Sequence, residues 1–142
     1  VLTTADGLPD NRIDSGAIDA TGAIWLSGRT SFSRANFLCK TVEGFSGSSG
    51  NSFTEFTEED GLDLWQAYSL LPDDRGGMWV SGWPTLKGLN YFDPDAAAEG
   101  DPPFRQPAVL DFFTGVPVTD GLVWDAQGAL LVGCRQDGLG FA

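Results

Sequence analysis

One ten-residue string is used three times. Asp19-Ala20-Thr21-Gly22-Ala23-Ile24-Trp25-Leu26-Ser27-Gly28 returns as Asp73-Asp74-Arg75-Gly76-Gly77-Met78-Trp79-Val80-Ser81-Gly82, and a shorter version runs from Asp125 to Gly133. The copies start at residues 19, 73 and 125, so the spacings are 54 and 52 residues. A second string precedes each of the first two copies at the same spacing: Leu2-Thr3-Thr4-Ala5-Asp6-Gly7-Leu8 and Phe56-Thr57-Glu58-Glu59-Asp60-Gly61-Leu62. A fixed period of about 50 residues limits a chain to solenoids, propellers or similar arrays, because each unit must bury its apolar face against the next.

The unit reads as four short strands. In the first, residues 13–18 and 23–28 flank the turn Asp19-Ala20-Thr21-Gly22, where the Asp side chain can bond backbone N–H groups and Gly takes the left-handed position. Strands at 37–42 and 53–57 follow, the last after a Gly/Ser-rich loop at 44–51. The second unit gives 66–71, 77–82, 88–92 and 109–114, with a Pro/Ala-rich insertion at 93–107. The third gives 119–124, 129–134 and 138–141. No helical periodicity stands out. Four strands at this period specify an all-β fold, a fragment of a β-propeller with about two and a half four-stranded antiparallel blades. The division is 1–8 (end of a preceding blade and its connection), 9–57 (blade), 58–114 (blade) and 115–142 (incomplete blade). The flanks would then expose apolar faces meant for the remaining blades, so an isolated chain is expected to be unstable or to self-associate.

Composition narrows the partners. A net charge of −12 disfavours nucleic acid and anionic membrane surfaces. No apolar run approaches the roughly 20 residues of a membrane span. There is no His, and the two cysteines, Cys39 and Cys134, fall at non-equivalent places. They read as small buried hydrophobes, and neither a metal nor another cofactor is expected.

Candidates for chemistry divide by periodicity. Asp19, Asp73 and Asp125 recur at one turn and read as turn caps, Trp25 and Trp79 read as packing, and Asp6 and Asp60 shape connections. Function belongs where the units differ, on loops held by a scaffold. The connection entering each first strand and the loop after each second strand open on one face. The non-repeating residues there include Asn11, Arg12, Trp65, Gln66 and Trp83. Indole rings beside Arg, Asn and Gln suit a sugar, whose apolar face stacks while its hydroxyls bond polar groups. These five are the expected ligand contacts. Without His or a nucleophile motif the chain is expected not to be an enzyme. Paired acids drawn from Asp10, Asp14 and Asp63 keep a glycosidase open.

Phe56 with Asp60-Gly61-Leu62, then Asp73/Gly76/Trp79/Val80, then Gly88-Leu89-Asn90-Tyr91-Phe92 resembles the two-component regulator propeller repeat. The resemblance covers nearly the whole chain. It departs at Leu131, which replaces the Trp, and at Phe37-Leu38-Cys39, which lacks the Gly-Leu. It implies a seven-bladed propeller in the periplasmic or extracellular sensor region of a bacterial hybrid two-component system, recognising an oligosaccharide or other small ligand. An extracellular carbohydrate-active propeller enzyme and a protein-binding propeller scaffold are the alternatives.

Overall fold

The computed structural model describes residues 3–30, 36–42, 53–83, 89–107, 119–134 and 138–141, with backbone only at 83, 119–120, 134 and 138–141. Three antiparallel sheets follow one another along the chain. The first holds β1 (Ile13–Ile18), β2 (Ile24–Arg29), β3 (Asn36–Thr41) and β4 (Phe53–Glu55) in sequence order. The second holds β5 (Gln66–Pro72), β6 (Met78–Trp83), β7 (Leu89–Phe92) and β8 (Phe104–Arg105), again in order. The third holds β9 (Thr119–Trp124), β10 (Leu130–Cys134) and β11 (Gly138–Phe141). Each is a simple meander, which needs only short turns and keeps sequence neighbours paired.

The expected strands are present, with ends shifted by a residue or two, except the fourth of the second unit. The expected stretch 109–114 lies outside the described residues, and Phe104–Arg105 takes the fourth place by pairing with Phe92 and Tyr91. The insertion before it is not featureless either. It forms a short helix, α1 (Pro94–Glu99): the Asp93 side chain accepts from the Asp95 N–H, Pro94 opens the first turn and Gly100 closes it.

The sheets pack face to face. β5 runs against β1, β2 and β3, and β9 against β5 and β6. Between the first two sheets lie Trp25, Leu38, Leu70, Met78, Val80 and Phe92, and between the second and third lie Leu89, Leu130 and Val132. Alternation along β2 and β6 sends successive residues to opposite neighbours, so every sheet has two apolar faces. The glycine one residue before the end of β2 and of β6 has a steric cause. A Cβ on Gly28 would stand 1.9 Å from the Arg12 carbonyl, and one on Gly82 would stand 1.8 Å from that of Gln66. Both glycines face irregularities in the inner strand, where the ladder shifts register at 13/15 and 67/69. Cys39 is buried as expected, and that burial pushes its thiol up to about 12. Among the described residues no helix is long and apolar enough to cross a membrane.

Candidate functional site

Two ends of the sheets carry chemistry, and each is built by one of the repeated strings. At the first end a capped turn delivers the chain into the inner strand. The Thr3 side chain accepts from the Ala5 N–H, and Asp6 Oδ2 accepts from the Thr3 N–H at 2.8 Å. Thr57 and Asp60 repeat this around Glu59, again with 2.8 Å to the Thr N–H. Gly61 then adopts φ 81°, and its Cα lies so close to the Phe104 carbonyl that a Cβ would meet it at 2.5 Å. Only glycine satisfies both demands. Leu62 is buried behind it, which fixes where the next residues emerge.

Those next residues are the expected site. Trp65 is 55% exposed. Gln66 opens β5 and pairs with Trp83 in the β5–β6 ladder, so Trp65, Gln66 and Trp83 come together. The ladder does not join them to Asn11 and Arg12, which occupy the corresponding positions of the first sheet. Asn11 Oδ1 is used by the Thr4 N–H at 2.9 Å. The Arg12 N–H donates to Asp10 Oδ1 at 3.0 Å, and its carbonyl accepts from the Arg29 N–H at 3.2 Å. The Arg12 side chain is exposed. The side chain of Trp83 lies outside the described ones.

The structure adds three residues to the five expected contacts: Arg29, which the sequence places in a loop of that face, Asp14, weighed there only as an acid, and Tyr68, which sequence reasoning passed over. Arg29 grips Asp14 with two parallel hydrogen bonds, Nε to Oδ2 and Nη2 to Oδ1, both 2.9 Å. These bonds to the Asp14 carboxylate raise the Arg29 pKa. Tyr68 stands at the register place of Asp14 one sheet on, and its hydroxyl donates to Gln66 Oε1 at 3.4 Å. The pairing was not legible from the tight β1–β2 turn, because the register shift between Ile13 and Ser15 takes Asp14 off the place the turn alone would give it. Of the acids weighed for a glycosidase, Asp14 is engaged by Arg29, Asp10 by a backbone N–H, and the main chain of Asp63 by Asn90.

At the opposite end sit the three aspartates, and they are turn caps. Asp19 Oδ1 accepts from the N–H groups of Thr21 and Ala23, Asp73 Oδ1 from Arg75 and Gly77, and Asp125 Oδ1 from Gln127 and Ala129, all at 2.8–3.1 Å. The second oxygen differs. Asp19 Oδ2 accepts from Trp25 Nε1 at 2.9 Å and pairs with Lys40 Nζ at 3.0 Å. Asp73 Oδ2 accepts from the Tyr91 hydroxyl at 2.7 Å. Burial opposes the charge of Asp19, but bonds from Thr21, Trp25 and Lys40 outweigh it and hold the carboxyl well below its usual range. Asp73 is likewise lowered against its burial by Tyr91 and two backbone N–H groups, while burial and Asp73 together raise the Tyr91 hydroxyl.

No protein-family model and no curated protein matches the chain. Among solved structures it is similar to the extracellular domain of BT4673 from B. thetaiotaomicron, described in one structure as a one-component system and in another as a hybrid two-component system. Each aligns with a TM-score of 0.50 and 16% identity, over 95% of this chain and 24% of that one. The chain thus spans 24% of the length of these structures, and the likeness is one of fold.

Proposed function

We propose that this chain is about two and a half blades of a β-propeller of the two-component regulator propeller repeat family. Its role is ligand recognition in the periplasmic or extracellular sensor region of a bacterial signalling protein. The observation that carries this reading is the triple use of one structural unit. An inner strand, an Asp-capped turn and a returning strand occur three times, with the turns at 54- and 52-residue spacing, a capped connection precedes the first two, and successive sheets pack face to face. Such a unit is incomplete alone and implies further blades of the parent chain as partners. The likeness in fold to an extracellular domain described as part of a two-component system supports the placement.

Recognition is assigned to the end where the connections emerge. Trp65 offers an exposed indole, and Gln66, Arg12 and the Asp14–Arg29 pair offer donors and acceptors at the same end of the inner strands. Flat aromatic surface flanked by fixed polar groups suits a sugar ring, so the ligand class is an oligosaccharide. The reading is one of binding without turnover.

A glycan-array screen of the intact protein's extracytoplasmic region, beside Trp65→Ala and Trp83→Ala, tests it. We expect retention of an uncleaved glycan, weakened at least tenfold in either variant. Cleaved sugars would transfer the protein to the carbohydrate-active enzymes. Absence of any glycan response would remove the sugar reading and favour a protein partner.

A further inference from the structure

Three places at which the second unit departs from the first meet in one hydrogen-bonded cluster: Asp63 for Pro9, Asn90 for Cys39 and Gln106 for Glu55. Gln106 follows β8 and reaches the connection that leads into β5. Its Nε2 donates to the Gly61 carbonyl at 2.9 Å and to Asn90 Oδ1 at 2.7 Å. Asn90 is completely buried. The same Oδ1 accepts from the Asp63 N–H at 2.9 Å, and Asn90 Nδ2 donates to the Asp63 carbonyl at 3.1 Å. The directions of these bonds are fixed. Gln106 spends both hydrogens of its amide, and turning either amide over would set like groups against each other.

The cluster holds the connection residue by residue. Gly61 is bonded at its carbonyl, Leu62 is buried, and Asp63 is bonded at both its N–H and its carbonyl. Leu64 packs against the core between the first two sheets. Gln66 is the next anchor, through its place opposite Trp83 in the β5–β6 ladder. Trp65 stands alone between Leu64 and Gln66, so its backbone is determined from either side. The first unit closes its connection differently. Pro9 has no N–H to offer, and the loop bonds to itself: Asn11 Oδ1 accepts from the Thr4 N–H and Asp10 Oδ1 from the Arg12 N–H. Asn11, at the place of Trp65, is thus one of the residues that tie the loop. In the second unit Gln106 and Asn90 do the tying from the neighbouring strands, and an indole stands at that place.

We propose that Gln106, acting through Asn90, is a positioning residue: it fixes the connection from which Trp65 is presented and so sets where the indole meets a ligand. A connection that is ordered before binding does not have to be ordered by it, so affinity gains without a further contact. The inference rests on the reading of Trp65 as a ligand contact, but the placement of the indole is measurable with no ligand present.

Fluorine NMR of the intact protein labelled with 5-fluorotryptophan, amide hydrogen exchange and the glycan array together test the proposal. The line that disappears in Trp65→Phe assigns Trp65. Gln106→Ala removes the donor, and Gln106→Glu keeps the size of the side chain but puts an oxygen where the shared donor stood. Arg105→Ala, one residue away, breaks the pair with Asp93 and controls for a general loosening of β8. In both Gln106 variants the Trp65 line should shift or broaden while those of Trp25 and Trp79 hold. The Asp63 N–H should exchange about tenfold faster, and affinity for a glycan that the native protein retains should fall about tenfold. Arg105→Ala should leave all three readings unchanged. If one Gln106 variant does not fold, the other carries the same test. A Trp65 line unaltered in the Gln106 variants, an equal change in Arg105→Ala, a silent Gln106→Glu beside an altered Gln106→Ala, or undiminished affinity for a retained glycan would each overturn the proposal. If the array retains no glycan from the native protein, the sugar reading fails, and the Trp65 line and the Asp63 exchange still decide whether Gln106 positions the indole.

Discussion

Asp19 with Trp25 and Asp73 with Trp79 occupy the same places in the same string, yet the first indole is completely buried and the second half-buried among the described residues. The turns are alike, because one carboxylate oxygen caps two backbone N–H groups in each. Everything beyond the turn differs. In the first sheet the other oxygen ties down the indole and Lys40, and Phe56 closes the ring over. In the second it ties down Tyr91, Arg75 joins the same hydroxyl, and the indole meets Tyr91 and Trp124. The repeated residues thus dictate backbone shape. The residues that break the repeat decide which partners an identical side chain meets.

The sharpest way to break this comparison is to delete the two indoles. Trp25→Ala should cost about 3–5 kcal/mol, as for a fully buried aromatic, and Trp79→Ala about 2 kcal/mol, since less area and fewer contacts are lost. Urea unfolding of the intact protein followed by fluorescence would measure both, and equal losses would mean that Trp79 is as much a core residue as Trp25. Removing the carboxylates comes next. Asp19→Ala leaves the Trp25 N–H and the Lys40 ammonium without their acceptor and should cost about 2–3 kcal/mol. Asp73→Ala orphans the Tyr91 hydroxyl, which Arg75 partly compensates, and should cost about 1–2 kcal/mol. The same difference should appear with pH. Both carboxyls are lowered in the folded protein, against about 3.9 for an unfolded Asp. The stability they confer is therefore complete above roughly pH 4 and is lost as pH falls towards their folded values. Urea midpoints between pH 7 and pH 2 should drop at the acid end, and Asp19→Asn should flatten that limb more than Asp73→Asn.

How far the sequence reaches follows from the same contrast. The strands at 13–18 and 119–124 were legible to the residue, because a turn with Asp and Gly at fixed places anchors them. The caps at Thr3 and Thr57 were legible as repeated Asp-Gly-Leu connections. β8 was not, because two residues carry no alternation. The offset also changes within the second unit: Trp25 to Trp79 is 54 residues, but Lys40 to Tyr91 is 51. The loop between them is three residues shorter, so aligning by spacing alone puts the wrong residues opposite each other. The helix at Pro94–Glu99 was missed although Asp93, Pro94 and Gly100 mark both its ends, since six residues show no period. Trp65 was found because it departs from the repeat, while the Asp14–Arg29 grip needed the β1–β2 register.

The finest difference between the two sheets lies at Cys39 and Asn90, which face Leu26 and Val80 at the same register place. Asn90 is completely buried, and both polar atoms of its side chain are hydrogen-bonded. Its Oδ1 accepts from the Asp63 N–H at 2.9 Å and from Gln106 Nε2 at 2.7 Å, and its Nδ2 donates to the Asp63 carbonyl at 3.1 Å. The residue corresponding to Asp63 in the first sheet is Pro9, which has no N–H to give. Cysteine therefore suffices there, and the two positions differ together. Asn90→Cys should cost about 1–3 kcal/mol by stranding the Asp63 N–H, and Asp63→Pro about 1–2 kcal/mol by stranding part of Asn90. The double variant, which copies the first sheet, should be milder than the two losses added, by about 1 kcal/mol. A double-mutant cycle in urea measures that coupling. Strict additivity would show that the connection carrying Trp65 is held by something other than Asn90, and that the paired difference between the sheets has no energetic content.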